Sequence, residues 1–174
     1  MAIRRIIELG DPTLRQVSTP VVQHSEALPT LEDLRDTLHE FQRTHGFGRG
    51  IAAIQIGIPQ RVIYIEIDGE SYELINPHLD TQSEEKFRMW DDCFSFPNLM
   101  VLLDRSMKVS LSYENRFGVT KQLTAQSSFA ELLQHEVDHL DGILSIDRAI
   151  DPHTSFMTRS EYLRRQANQT LRTF

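Results

Sequence analysis

The apolar residues of this chain change their spacing part-way along it, and that change restricts the fold more than any other feature. Between residues 61 and 123 they alternate with polar residues in short runs, which predicts antiparallel strands, and Asp68-Gly69 predicts a hairpin turn between the first two. From Ser127 to Leu140 they recur every three or four residues, which predicts one helix closed by Asp141-Gly142. Short strands with a few separate helices indicate an α+β domain.

The other elements are expected on either side of this region. Three prolines interrupt residues 1–29, so we predict an irregular arm there. Thr30 is the expected N-cap of a helix that ends at Gly46, and a last helix is predicted from about Ser155 to Leu171. The predicted strands cover residues 61–67, 71–75, 107–113 and 119–123. A length of 174 residues fits a single domain that spans residues 1–174.

Composition and charge exclude several classes of protein. The chain carries 18 Lys and Arg against 25 Asp and Glu, a net charge of −7, which argues against binding DNA through phosphate contacts. Its one cysteine, Cys93, excludes the internal disulfides of small secreted domains. The apolar stretch at the N-terminus is too short for a signal peptide, and no run approaches the roughly 18 apolar residues of a membrane helix. We therefore expect a soluble cytoplasmic protein without membrane contact.

The strongest local motif lies on the predicted helix, where Gln134 to His139 read Gln-His-Glu-Val-Asp-His. His135 and His139 are one helical turn apart on the same face, so they can bind one metal ion together. Glu136 can then reach a metal-bound water and act as general base. The alternative interpretation is two unrelated histidines and a glutamate on a polar helical face.

Two other segments contain residues suited to such a site. A hydrolytic metal usually has three protein ligands, and Cys93 is the candidate for the third; its alternative is a small buried apolar residue. The stretch from Gly48 to Gly57 combines glycines with an apolar run, so its backbone can approach a ligand closely, and Gln55 offers an amide donor. This stretch lacks the G-K-[ST] sequence of a phosphate-binding loop.

Taken together and in this order, the three segments resemble the motifs of the peptide deformylase family. Gly48 to Gln55 matches that family's G-x-G-x-A-A-x-Q motif in full, and Gln134 to His139 matches its Q-H-E-x-D-H helix in full. The family's E-G-C-L-S motif is matched only at Cys93 and Ser95, and the departures are Asp91, Asp92 and Phe94. The resemblance implies an α+β fold with small mixed or antiparallel sheets around a central metal-binding helix.

The resemblance also implies an activity: a metal-dependent hydrolase that removes the N-formyl group from N-formylmethionyl peptides of newly made proteins. The implied metal ligands are Cys93, His135 and His139. Glu136 would take a proton from water and hand it to the leaving amine, whereas Gln55 and the backbone N–H of Phe94 would stabilise the oxyanion.

One divalent metal ion per chain is implied as the cofactor, with Fe²⁺ expected from the family. Sulfur and imidazole ligands suit Zn²⁺ as well, and Ni²⁺ or Co²⁺ also stay open. The implied partner is an N-formylated peptide, including nascent chains at the ribosome.

The residues expected to contact substrate are Gly48, Arg49, Gly50, Asp91 and Glu131. Glu131 lies one turn before His135, on a stripe that is mainly apolar in the family, and Arg49 replaces a commonly apolar residue. Met100 falls where many bacterial members have an arginine that helps to hold the peptide. These departures predict a polar pocket for the first side chain of the substrate.

Simpler interpretations of the same residues are also open. Ser128 and Glu131 have the S-x-x-E spacing of a capping box, and Arg49 could point to solvent. Asp138 is expected to pair with a cation, for which Arg105 is the candidate; a solvated helix charge is the alternative.

Three other functions compete with deformylation of formyl-methionyl peptides. A divergent deformylase or amidase would act on a different N-formyl or N-acyl amine, and a non-catalytic relative would only bind metal or formylated peptide. A general H-E-x-x-H endopeptidase would usually have histidine or glutamate as third ligand, which Cys93 argues against.

Overall fold

The computed structural model describes residues 2–170. The helices in this range are α1 (His24–His45), α2 (Ser127–Leu140) and α3 (Arg159–Thr170). The strands are β1 (Gly50–Ala52), β2 (Val62–Ile67), β3 (Glu70–Gln82), β4 (Lys86–Asp92), β5 (Leu99–Ser106), β6 (Lys108–Glu114), β7 (Thr120–Gln126) and β8 (Phe156–Thr158). Short 3-10 helices occur at Pro12–Arg15, Ala53–Ile56 and Ser145–Arg148.

The strands form two antiparallel sheets, a five-stranded one in the order β1-β2-β3-β6-β7 and a three-stranded one in the order β4-β5-β8. Between β2 and β3, Asp68 and Gly69 have φ angles of 54° and 82°, the positive values that a type I′ hairpin turn requires. This turn and the bounds of α2 are as predicted. The expected α+β fold, with small sheets around the helix of the histidine motif, is confirmed.

Side chains alternate along β2, so that its two faces are covered by different helices. Val62 and Tyr64 belong to the core cluster that contains the buried face of α1, whereas Ile63 and Ile65 belong to the cluster that contains the buried face of α2. Burial of each aliphatic side chain contributes about 1.5–3 kcal/mol to the free energy of unfolding. The packing therefore anchors α2, and with it the histidine motif, against the sheet.

The start of α1 differs from the prediction, and Thr30 is not its N-cap. Pro29 lies inside the helix, where it removes one backbone donor. Ala27 and Leu31 are at most 1% exposed and continue the buried stripe across the proline, so tertiary packing outweighs that loss. The hydroxyl of Thr30 donates instead to Gln60 Oε1 at 2.7 Å.

The three-stranded sheet was not predicted. In β5, the side chains of Val101, Leu103 and Arg105 lie on one face and are all at most 2% exposed. A charged residue at a buried position breaks the alternation of apolar and polar residues by which strands are recognised in a sequence. The strand is stabilised here by ion pairs of Arg105 that its own segment does not contain.

The last helix begins later than predicted, at Arg159, because the residues before it form β8 against β5. Its predicted end at Leu171 lies outside the described residues. Within residues 2–170, no helix is both long and apolar enough to cross a membrane. A single domain across residues 1–174 stays a prediction.

Candidate metal centre

The three predicted metal ligands meet at one point between α2 and the loop after β4. The Nε2 atoms of His135 and His139 are 3.2 Å apart, and Cys93 Sγ lies 3.2 Å from His139 Nε2. All three side chains are buried, with exposures of 1–6%. The helix supplies the two histidines from one face, and the end of β4 brings the thiol to them.

These residues fit a metal ion. Two ligand atoms about 2.1 Å from one tetrahedral ion are roughly 3.4 Å apart, close to the separations seen here. One thiol and two imidazoles are donors that divalent zinc or iron accepts. Beside them, the buried Oε2 of Glu136 has no hydrogen-bond partner among residues 2–170. An unpaired buried oxygen next to three gathered ligand atoms indicates a site built for an ion and its water.

Asp91 orients the first histidine. The Nδ1–H of His135 donates to Asp91 Oδ2 at 2.9 Å, which leaves Nε2 free to face the other ligands. Burial opposes ionisation of Asp91, but the charges of His135 and Arg105 outweigh it and hold the pKa of this carboxyl below its usual value. Asp91 is therefore an anion that fixes the ring.

The expected role of Asp91 in substrate contact is corrected by this geometry. Its side chain is 2% exposed, lies behind His135 and does not line the cavity described below. Sequence spacing placed it two residues from Cys93 but could not show which way a strand residue points.

The histidines have opposite pKa shifts. Burial alone would lower the pKa of His135, but Asp91 outweighs it and raises that pKa well above the usual value. Burial, together with the positive charge of His135, holds the pKa of His139 well below the usual value. His139 is thus neutral, which is the form that binds metal, whereas His135 would have to release its Nε2 proton when an ion binds.

A buried cluster of charges holds the other side of α2. Arg105 Nη1 donates to Asp138 Oδ2 at 2.5 Å, which confirms the predicted pairing of these two residues. Arg148 also donates to Asp138, from Nε at 2.5 Å. Because Arg105 also contacts Asp91 at 3.3 Å, one guanidinium links the helix to the group that orients His135.

The amide of Gln55 points its donor toward the ligands. Its Oε1 accepts the backbone N–H of Ala52 at 2.9 Å, and this bond determines the positions of the amide oxygen and nitrogen. Its Nε2 then lies 3.7 Å from Cys93 Sγ and 3.4 Å from Ser95 Oγ. A preorganised N–H donor beside the ligands is what an oxyanion requires.

The glycines of the first motif allow a close approach of the backbone. A Cβ at Gly50 would lie 2.8 Å from Glu136 Oε1, and one at Gly48 would lie 2.7 Å from the Phe94 ring. Gly48 also has a φ of 132°, which side chains other than glycine rarely adopt. Both glycines therefore serve the packing of the site as well as the shape of its cavity.

A cavity of about 370 Å³ opens over Cys93 and His135. Among the predicted site residues, its lining includes Gly48, Arg49, Gly50, Gln55, Cys93, Phe94, Glu131, His135 and Glu136. Burial, partly offset by the charge of His135, raises the pKa of Glu136 to about 7. A carboxyl with a pKa near neutrality can both accept and return a proton.

The cavity wall also contains an ion pair. Arg49 Nη2 donates to Glu131 Oε2 at 2.7 Å, and Arg49 Nη1 donates to Ser128 Oγ at 2.6 Å. A capping box of Ser128 and Glu131 is excluded, because the N-cap of α2 is Gln126 and has no side-chain cap hydrogen bond. The alternative of a solvent-directed Arg49 is likewise excluded by these bonds.

Arg159, which was not predicted, also lines the cavity. Its Nε donates to the carbonyl of Pro97 at 2.6 Å, it pairs with Asp92, and its guanidinium lies 4.0 Å from the centre of the Phe47 ring. Met100, in contrast, is 3% exposed and is absent from the lining. No local signal singled out Arg159, because it is one of several arginines in the last helix.

Comparison with known proteins decides the family. The sequence model of the family described as polypeptide deformylase matches residues 3–155. This chain belongs to that family. The predicted resemblance, and with it the assignment as a peptide deformylase enzyme, is confirmed; Arg159 lies just beyond the matched residues.

Several relatives and solved structures are similar over most of their length. The chain is 38% identical over 155 residues to the peptide deformylase of Bartonella tribocorum, with 84% of each chain covered. It is 36% identical over 153 residues to the peptide deformylase of Rhizobium meliloti, and the match covers 84% of this chain and 85% of that relative. The crystal structure of peptide deformylase from Thermotoga maritima superposes with a TM-score of 0.81 and a sequence identity of 32%. The match covers 87% of this chain and 100% of the Thermotoga maritima chain. The family is metal-dependent, in agreement with the Cys-His-His site.

Proposed function

We propose that this protein hydrolyses the N-formyl amide of newly made polypeptides, releasing formate and a free amino terminus. The observation that carries the proposal is the cluster of Cys93, His135 and His139, whose first two members line one cavity together with Glu136 and Gln55. A formyl carbon is small and open to attack, but its amine is a poor leaving group that needs a proton. The site has to supply both an activated water and that proton.

Cys93, His135 and His139 would hold one divalent ion, Fe²⁺ in our proposal. Bound there, it would supply Lewis-acid chemistry that acidifies water and polarises the formyl carbonyl. Zn²⁺, Ni²⁺ and Co²⁺ are the alternatives, since all of them accept this donor set. Metal analysis of protein purified without oxygen tests the choice; a content of zinc and no iron would contradict it.

Glu136 carries the proton. Its carboxyl lines the cavity and has one buried oxygen without a hydrogen-bond partner in the described part of the chain, so it is placed to accept a proton from an attacking water. With a pKa of about 7, it can then pass the same proton to the leaving amine. Gln55 Nε2 and the backbone N–H of Phe94 would donate to the oxygen that becomes negative during the attack.

The substrates are N-formylated peptides, and nascent chains at the ribosome are their natural source. This source would place the protein in the cytoplasm. A purely binding relative is disfavoured, because a protein that only binds metal or peptide has no use for the buried Glu136 oxygen, which has no partner among the described residues and lies beside the predicted ligands.

The test is formate release from a formylated tripeptide by metal-loaded protein without oxygen. We expect turnover that Glu136→Gln lowers by roughly 10²–10⁴-fold with the metal retained. The N-acetyl form of the same peptide is the control for acyl selectivity. No formate release by fully loaded wild-type protein would refute the proposal, and equal rates on the acetyl peptide would favour a general amidase.

A further inference from the structure

The proposed hydrolysis leaves one charged part of the cavity without a role. The ion pair of Arg49 and Glu131 lines the cavity, and the Glu131 side chain is only 3% exposed while that of Arg49 is 37% exposed. Burying charges is costly unless they are paired and hydrogen-bonded. An ion pair in the wall of a substrate cavity therefore calls for a role other than stabilising the fold.

The pair is held firmly and lies close to the reacting atoms. Glu131 is one turn before His135 on α2, and a carboxylate oxygen of Glu131 lies within 4.8 Å of a ring nitrogen of His135. Arg49 is fixed by Ser128 through its side chain, and its carbonyl accepts the N–H of Glu66 at 2.7 Å. The positions of both charges are thus set before substrate enters.

The first side chain of the substrate must lie in this cavity. It is attached to the carbon that bears the leaving nitrogen, so it cannot be far from the formyl carbon under attack. An apolar side chain against the pair would displace water from Arg49 without replacing its hydrogen bonds. A side chain with its own donor and acceptor would replace them.

Hydrogen-bonding capacity is available for such a ligand. Among the described residues, the bonds of Arg49 to Ser128 and Glu131 use three of the five N–H groups of its guanidinium. The pair as a whole is neutral, so a charged side chain would add an unpaired charge. A neutral amide avoids this and can accept from Arg49 and donate to Glu131 together.

We infer that Arg49 and Glu131 determine specificity for the first side chain, so that formyl peptides beginning with a neutral amide such as glutamine are accepted at least as well as those beginning with methionine. This inference rests on the proposed function. Glutamine has about the reach of methionine, so the two differ mainly in hydrogen bonding.

Binding is the readout that separates this inference from turnover. Metal-loaded Glu136→Gln protein is titrated with formyl-Gln-Ala-Ser and formyl-Met-Ala-Ser, and the ratio of their Kd values is measured. The same is done after Arg49→Leu with Glu131→Leu, which removes both charges together and leaves neither unpaired. The control is Arg88→Leu with Asp104→Leu, an exposed pair between β4 and β5.

With the pair intact, the glutamine peptide is expected to bind at least as tightly as the methionine peptide. The double leucine variant should shift the ratio toward methionine by about tenfold or more, the scale of discrimination in an apolar pocket, and the control should not. If the leucine variant does not fold, Arg49→Met with Glu131→Met, which keeps the side-chain lengths, should shift the ratio the same way.

A tenfold preference for methionine that survives removal of the pair would overturn the inference, as would no measurable binding of either peptide. The proposed function is decided separately by formate release from wild-type protein. A glutamine preference in binding without any formate release would refute the function and leave the specificity inference standing.

Discussion

His135 Nδ1 lies 2.9 Å from Asp91 Oδ2, on the opposite side of the ring from the nitrogen that faces His139. The carboxylate therefore fixes both the orientation and the tautomer of the histidine. Arg105 completes the arrangement, because it contacts Asp91 and Asp138 and so connects β4, β5 and α2.

Replacing Asp91 by asparagine should weaken metal binding while the fold is kept. The amide has the same shape but no charge, and loss of such a partner typically lowers metal affinity 10–100-fold. Titration of metal-free protein with Zn²⁺ measures the change. Asp104→Asn, in an exposed pair, is the matched control; an affinity of Asp91→Asn equal to that of the control would remove Asp91 from this role.

Metal should stabilise the wild-type protein and not a ligand variant. An ion that binds only the folded state adds about 2.7 kcal/mol at a hundredfold excess over its Kd. Thermal unfolding with and without added metal should show a higher Tm for wild type and little change for His139→Ala. An equal rise in Tm for both proteins would mean that His139 is not a ligand.

Gln55→Ala should lower kcat by roughly 10²–10³-fold with a modest effect on KM, because an oxyanion donor acts mainly in the transition state. Steady-state kinetics on a formylated peptide provide both constants. A raised KM at unchanged kcat would show instead that Gln55 only holds the substrate.

The metal-free protein should lose stability as the pH rises from 5 to 8, in part because of Glu136. Its pKa is raised from 4.5 to about 7 in the folded state, so the folded protein binds this proton more tightly than the unfolded chain. The free energy of unfolding therefore falls with rising pH between these two values. Urea denaturation should show a loss that is larger for wild type than for Glu136→Gln by roughly 2–3 kcal/mol. Equal losses would contradict the raised pKa.

Local sequence was sufficient to predict those features that depend only on the geometry of residues close to one another in the chain. The i,i+4 spacing of His135 and His139 predicts a shared metal without any knowledge of the rest of the fold. Asp68-Gly69 predicts the hairpin because few other pairs adopt two positive φ angles. The apolar period of residues 127–140 predicts α2 because the helix buries one long stripe against the sheet.

Other features were wrong or missed because packing overrides local preference. Pro29 marked the end of an arm in the sequence, but it lies inside α1, where the buried face extends on both sides of it. Strand β5 was not predicted, because it contains the charged Arg105 at a buried position. The partner that balances this charge, Asp138, lies on α2, 33 positions away. On local grounds Cys93 is only a candidate for the third ligand, and the family resemblance is what implies that role, because nothing local relates it to His139, 46 positions along the chain.

The sequence by itself determined the fold class, the histidine pair and the family, because these depend on the order and spacing of residues near one another. Only the tertiary structure decided that Asp91 stands behind His135 and that Arg49 meets Glu131 across 82 positions. Such contacts depend on the direction in which each side chain leaves its strand or helix. That direction is set by how the elements pack, which no local pattern encodes.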